Sequence, residues 1–426
     1  MPWCCVPSQS SEAGADPPGP GEAPPWRRQL EAALAALPGE RRRALRVYSS
    51  APEAGETALL TPQAEPRPLL DLASNDYLGL SRHPAVGAAA AAELAAQGLG
   101  AGASRLVSGT RPAHLALERA LATWLGRERV LLFPSGFQAN LAAVCALADR
   151  HSLVLADRLI HHSLLSGVRC SGARLQRFAH NDLAELERRL ATARRERPGA
   201  RVVVLCESVY SMEGTSAPLA ELAELCARYG AALLVDEAHA LGVFGPGGRG
   251  LAHGLAEVAL VSGTLGKAFG SGGAFLAADE PVGEWLLQSS GAFRYSTALA
   301  PPLAAGALAA LQLLGAQPEA GAELCRRAAR WRDGLASAGW PRPPGVGPIL
   351  PLQVGDDRRA LALQAKLEAA GLLTVAIRPP TVPEGTARLR LVLRRDLPSG
   401  TLPRLLAALG GSGGKTGARA AAAAPQ

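Results

Sequence analysis

The chain has 426 residues, 48% hydrophobic and 19% charged, which supplies material for a sizeable core and more length than one minimal domain needs. Its 47 Gly and 33 Pro fall below the share that marks disordered or collagen-like chains, and its seven cysteines, scattered with no Cys-x-x-Cys pair, indicate neither a zinc module nor a disulfide frame. A formal charge of +7 without a basic run interleaved with aromatics excludes a nucleic-acid footprint and leaves a mild attraction to acidic or phosphorylated molecules.

Residues 1–25 are rich in Pro, Gly and Ser and too poor in apolar side chains to offset ordering entropy, so a disordered extension is expected there. The extension lacks the basic and apolar regions of a signal peptide, and a reducing cytoplasm is the expected compartment. After an N-terminal segment, 26–85, strands and helices alternate through an expected larger α/β domain, 86–315. Val130–Phe133 reads as a strand, closed by Pro134-Ser135-Gly136 and followed by a helix over Gln138–Leu147. Leu153–Ala156 reads as a strand leading into Asp157 and a helix near His161. Val202–Leu205 is the next strand, and a helix over Pro218–Tyr229 follows, with Pro218 placed in its first turn. Ala232–Val235, Leu260–Val261 and Ala274–Ala277 are further short apolar runs.

Thr297–Pro318 carries no charge, but its prolines, its two glutamines and its alanine-dominated apolar content favour a buried helix over a membrane span. Leu303, Leu311 and Leu314 fall near one helical stripe of it. Beyond residue 316 the pattern changes to longer helices, Glu319–Ala338 and Ala360–Ala370, with short strands near Leu350–Val354 and Arg388–Val392. That pattern predicts a smaller C-terminal α+β domain, 316–409, ahead of a disordered tail, 410–426.

Strands that are apolar throughout suit a mostly parallel sheet covered on both faces, where ligands bind beyond the carboxyl ends. The unusual residues gather at those ends: Gly136 and Phe137, His161, Glu207 to Ser211, Asp236 and His239, Thr264 and Lys267.

Lys267 is the sharpest of them. Only Lys267, Lys366 and Lys415 are lysines among 44 basic residues, and Lys267 sits in the glycine-rich stretch SGTLGKAFGSGG. Lys366 falls in an amphipathic helix and Lys415 in the tail, where both are expected to be solvated. Arginine does not form imines, so a lysine retained here suits Schiff-base chemistry; a phosphate-binding or structural lysine is the alternative. A Walker A loop is excluded, because Val261 and Ala268 occupy positions that need Gly and Ser or Thr. The same absence removes the helicase reading of Asp236-Glu237-Ala238-His239. Asp236 at a strand end suits a carboxylate that keeps a pyridine-type nitrogen protonated, or one that caps the next turn. Ser135-Gly136-Phe137 aims backbone N–H groups at an anion, or is an ordinary turn. Thr264 adds a hydroxyl, and His161 offers either a stacking face or a helix start. No metal site is expected.

Taken together, several stretches resemble the α-oxoamine synthase family of pyridoxal 5'-phosphate (PLP) enzymes. They are Ser74–Gly79 (SNDYLG), Gly102–Gly109 (GASRLVSG), Ser135–Asn140, Asp157–Ser163, Glu207–Pro218, Asp236–Gly245, Thr264–Gly270, Tyr295–Thr297 and Ile377–Arg390. The resemblance runs from about Leu30 to Leu409. It implies the aspartate aminotransferase-like architecture (PLP fold type I) and a homodimer with sites at the interface. Lys267 would carry PLP and move the α-proton of the amino acid, Asp236 would pair with the ring nitrogen, and His161 would stack on the ring. These three would form the catalytic set.

The resemblance also places Ser211 and His239 near the 3'-oxygen of the ring, and the Gly136 and Phe137 backbone with Thr264 at the phosphate. Thr297 would reach the phosphate of a neighbouring subunit. Arg46, Asn75, His161, Arg378 and Thr381 would handle substrate. Arg378-Pro379-Pro380-Thr381 resembles the branch that condenses L-alanine with pimeloyl-CoA or pimeloyl-[acyl-carrier protein] in biotin biosynthesis. Three departures from the family pattern are Ser208 where Gly is common, Ala240 where Gly often follows the histidine, and a second imidazole at His162.

Overall fold

The computed structural model describes residues 23–61 and 64–410. Nearly all of the expected N-terminal extension and C-terminal tail, Lys415 included, lies outside the described residues. The strands in chain order are β1 (Val47–Ser50), β2 (Glu56–Thr61), β3 (Ala64–Asp71), β4 (Arg129–Phe133), β5 (Leu153–Asp157), β6 (Arg174–Phe178), β7 (Val202–Glu207), β8 (Ala232–Asp236), β9 (Val258–Thr264), β10 (Ala274–Ala278), β11 (Ile349–Gly355), β12 (Leu372–Leu373), β13 (Val375–Ile377) and β14 (Ala387–Val392).

Seven of them form the central sheet, in the order β4-β10-β9-β8-β7-β5-β6. Every residue of β5 and β7 is buried, because helices cover both faces and leave no solvent side for polar alternation. β6 was not legible as a strand: it lies at the sheet edge and carries Arg174 and Arg177, the charged pattern that protects an edge from further pairing. β5 to β9 pair in parallel, whereas β10 runs antiparallel to both β9 and β4. The apolar runs carry no mark of this reversal, since a buried strand reads alike in either direction. β4 therefore points the same way as β9, and the carboxyl ends of β4, β5, β7, β8 and β9 open on one rim.

Helix starts on that rim follow local chemistry. Ser135 caps the helix Gly136–Leu147 by accepting the Gln138 N–H at 3.3 Å. The helix expected over Pro218–Tyr229 spans Leu219–Arg228, with Pro218 at its cap rather than inside the first turn. The uncharged stretch forms the helix Pro301–Ala316, which buries Ala304, Ala307, Ala310, Leu311 and Leu314. Leu303 departs from the expected stripe and is 41% exposed, because the alanines face the helices Pro84–Gln97 and Pro112–Leu125. Among the described residues no helix is long and apolar enough to cross a membrane.

The C-terminal part holds the antiparallel sheet β11-β14-β13 with the helices Ala320–Ser337, Asp357–Ala369 and Thr401–Leu409. The N-terminal strands do not stand apart from it. β1, β2 and β3 form a sheet whose fourth strand is β12, paired in parallel with β3 through Leu372↔Leu70 and Leu373↔Asp71. Lys366 is exposed, as expected, and its Nζ donates to the Leu409 carbonyl at 3.2 Å.

Candidate active site

The rim brings the acids and bases together. Glu207 ends β7 beside Asp236 at the end of β8, and Ser262 of β9 pairs next to it. Asp236 is held from two sides: Oδ2 accepts from Asn140 Nδ2 at 2.7 Å, and Oδ1 accepts from the Ala238 N–H at 2.9 Å. It therefore both caps a turn and presents a buried carboxylate. The second Asn140 proton goes to Ser163 Oγ at 2.9 Å, and that oxygen lies 2.7 Å from His161 Nδ1. His161 begins the helix His162–Ser171 and also accepts from the Ser163 N–H, so its helix-start role is realised.

Lys267 follows β9 in a turn clamped at both ends. Leu265 N–H donates to Gly273 at 2.9 Å, and Ser271 N–H donates to Leu265 at 3.0 Å. Gly270 closes the turn at φ +61°, and a Cβ there would stand 2.1 Å from Ser81 N, so only glycine fits. Lys267 Nζ lies 2.8 Å from His239 Nε2. Burial pushes the Lys267 amine down to about 8 against the pull of Asp236 and Glu207, with Arg390 adding to the depression. Burial also holds His239 well below its usual range, helped by Lys267 and Arg390. Burial and the neighbouring Asp236 push the Glu207 carboxyl well up.

Gly136 and Thr264 face each other across the rim, the threonine side chain 3.9 Å from where a glycine Cβ would stand. Thr264 Oγ1 accepts from the Gly266 N–H at 3.2 Å. Phe137 is 49% exposed, beside the exposed His162. Thr297 is exposed and bridges to Ser104, and its neighbour Ser296 accepts from Gln138 Nε2 at 2.5 Å, which ties that turn to the cradle.

Ser211 and Asn75 meet through a residue that sequence reasoning did not single out. Arg390, 6% exposed, donates to the Ser211 carbonyl at 2.6 Å and to Asn75 Oδ1 at 2.9 Å. An arginine in an arginine-rich chain carries no compositional signal. Tyr77, Asn140 and Ser163 were also passed over, although each lies in a stretch quoted above.

Arg378 and Thr381 form a second group with residues from the N-terminal segment. Arg43 donates to Thr381 Oγ1 at 3.0 Å, Arg378 donates to the Glu40 carbonyl, and Arg41 pairs with Glu384 at 2.6 Å. Arg46 is not in this group; it pairs with Glu368 at 2.7 Å and lies over the Tyr48 ring. The departures fit locally. Ser208 is buried and its Oγ reaches the Asp236 carbonyl at 3.3 Å, and Ala240 is fully buried. Glu237, the second acid of the Asp236–His239 tetrapeptide, accepts the Leu251 and Ala252 N–H groups at 2.9 and 2.8 Å, so it anchors a loop.

The sequence pattern of the family "Aminotransferase class I and II" matches residues 67–409. An 8-amino-7-oxononanoate synthase from Anaeromyxobacter dehalogenans is 46% identical over 346 residues, spanning 80% of this chain and 86% of that protein. The chain belongs to the 8-amino-7-oxononanoate synthase family. Solved structures agree with membership of this family. A serine palmitoyltransferase from S. paucimobilis with a bound PLP-myriocin aldimine matches with a TM-score of 0.81 at 27% identity, over 90% of this chain and 95% of that one. An 8-amino-7-oxononanoate synthase from Francisella tularensis matches with a TM-score of 0.68 at 27% identity, over 80% and 96%. The mixed α/β architecture with a central sheet found here is thus that of the class I and II aminotransferase fold.

Proposed function

We propose that this chain is a PLP-dependent acyltransferase that condenses L-alanine with the thioester of pimeloyl-CoA or pimeloyl-[acyl-carrier protein] to give 8-amino-7-oxononanoate for biotin biosynthesis. The observation that carries the reading is the amine of Lys267, lowered to about 8 and set among His239, Asp236 and Glu207 at the strand ends.

The residues present fit PLP. A phosphorylated pyridine aldehyde needs a free amine, an acid for its nitrogen and a cradle for its phosphate. Lys267, Asp236, and the Gly136 and Phe137 backbone with Thr264 provide these on one rim. Two buried oxygens, Asn140 Oδ1 and Glu207 Oε1, have no protein partner among the described residues, as in walls shaped for a polar ligand. His161, Ser211 and His239 complete the set that holds the ring, and Thr297 serves the phosphate site of a second copy.

When bound, PLP supplies an electron sink that stabilises negative charge at the amino-acid Cα. Lys267 Nζ takes the Cα proton of alanine and later returns one. Asp236, oriented by Asn140 and Ala238, holds the proton on the ring nitrogen. Arg390 has no carboxylate partner among the described residues and takes the alanine carboxylate, with Asn75 beside it. Arg378 and Thr381 handle the acyl donor. A C–C bond forms from Cα to the thioester carbonyl as the C–S bond breaks, and the carboxylate then leaves as carbon dioxide. Arg46, paired with Glu368 and outside the Arg378–Thr381 group, is a further candidate for the substrate side.

The working unit is read as a cytoplasmic homodimer. Leu106, Val107, Phe137 and Tyr295 are exposed on segments linked through Ser104–Thr297 and Ser296–Gln138, and a second copy would cover them. The exposed thiols Cys145 and Cys170 are in keeping with a reducing compartment.

Thiol release from pimeloyl-CoA, measured with alanine, glycine and serine in turn, tests the substrate. Alanine is expected to be preferred at least about tenfold, the discrimination that one methyl or hydroxyl contact supports. A preference for serine would favour the reading suggested by the higher TM-score to serine palmitoyltransferase, and no release with any of the three overturns the acyltransferase reading.

A further inference from the structure

A chain of contacts runs inward from the reactive amine. His239 Nε2 lies 2.8 Å from Lys267 Nζ, and His239 Nδ1 lies 2.5 Å from the Tyr77 hydroxyl. That hydroxyl lies 3.3 Å from Asn75 Oδ1, which already accepts from Arg390 at 2.9 Å. Tyr77 is fully buried and meets the His239 ring edge-on. No step described above uses this phenol.

Burial and its positive neighbours keep His239 neutral, so its ring carries one N–H and must place it on one of two nitrogens. When Lys267 is an ammonium group, Nε2 has to accept. The ring proton then sits on Nδ1 and points at the Tyr77 oxygen. The phenol proton is left with only the long contact to an Asn75 oxygen that Arg390 already occupies. When Lys267 is a free amine, Nε2 carries the ring proton and Nδ1 accepts the phenol O–H across the short contact. Burial pushes Tyr77 up to about 12, so it remains a phenol and a donor. The second arrangement is the better bonded of the two.

We propose that Tyr77 is a positioning residue that acts through the His239 ring to bias Lys267 Nζ toward its proton-accepting form. The inference rests on Lys267 being the reactive amine and not on which amino acid or thioester is used. The other groups facing Nζ act directly: Asp236 of β8 and Glu207 of β7 favour the ammonium form, while Arg390 of β14 and the His161 side oppose it. Asp236, Glu207 and His161 make no hydrogen bond to the Tyr77 hydroxyl; Arg390 meets it at Asn75 Oδ1, where Tyr77→Phe leaves the 2.9 Å Arg390 bond its acceptor.

The test uses the cofactor-free full chain. Trace acetic anhydride labels free amines across a pH series, and mass spectrometry reads Lys267 with Lys366 as an internal control. Tyr77→Phe keeps the ring and removes only the hydroxyl. The labelling midpoint of Lys267 is expected to rise by about half a pH unit or more, about a threefold change in proton affinity, while that of Lys366 stays in place. An unchanged or lowered Lys267 midpoint overturns the proposal. So does a variant that no longer folds, which would assign the hydroxyl to the stability of the loop around Asn75. No substrate is present, so failure of the alanine reading leaves this result untouched.

Discussion

Lys267→Ala is expected to abolish turnover and to strip the protein of its visible cofactor absorbance. The variant loses both the attachment point and the base. The rate should therefore fall by more than the roughly 10²–10⁴-fold that positioned proton transfer contributes alone. Among the described residues no other lysine can stand in: Lys366 Nζ is bonded to the Leu409 carbonyl, on the C-terminal helices. Steady-state thiol release and the absorbance spectrum check the prediction together. Residual activity above about one hundredth of wild type, a tolerance wider than that proton-transfer factor permits, would remove Lys267 from its assigned role.

The second large effect is expected at Asp236. Asp236→Asn keeps the size and most of the bonding of the side chain and removes its charge. A preorganised charge in a water-poor site is worth about 10²–10³ in kcat, and a loss of that order is expected with a smaller change in KM for alanine. The same substitution carries an independent sign. Asp236 draws the Lys267 amine upward, so its neutralisation should lower the labelling midpoint of Lys267, opposite to the shift expected from Tyr77→Phe. A full-speed Asp236→Asn enzyme would show that the ring nitrogen is not served from β8.

Most of the rim was legible in the sequence because its residues interrupt otherwise apolar strands. Asp236 after Ala232–Val235 and Lys267 among glycines announce themselves by contrast with their neighbours. Arg390 does not, since it lies inside a strand and its burial depends on Ser211 and Asn75, which are distant in the chain. The reversed direction of β10 was equally hidden, because its residues are buried on both faces whichever way it runs. The surroundings of Arg46 were hidden for a related reason. Which arginine of the N-terminal segment meets Thr381 depends on how the short helical turn Gly39–Arg41 docks, and the structure brings Arg43 there instead. Local pattern decides what a strand end carries; docking of remote segments decides which side chains reach it.

The pairing of β3 with β12 has a consequence for synthesis. Leu70 and Asp71 leave the ribosome about 300 residues before Leu372 and Leu373, a delay of about 15–60 s at translation rates of about 5–20 residues per second. Through that interval the β1-β2-β3 sheet has an unfilled edge. Ribosome-held chains stopped before residue 372 are expected to be cut by protease within 47–71, and chains that extend past the helix Thr401–Leu409 to resist; equal resistance in both would show that the early strands close without their late partner. Leu372 and Leu373 thus complete a sheet begun about 300 residues earlier, and closure of the β1–β3 strands waits on translation passing that point.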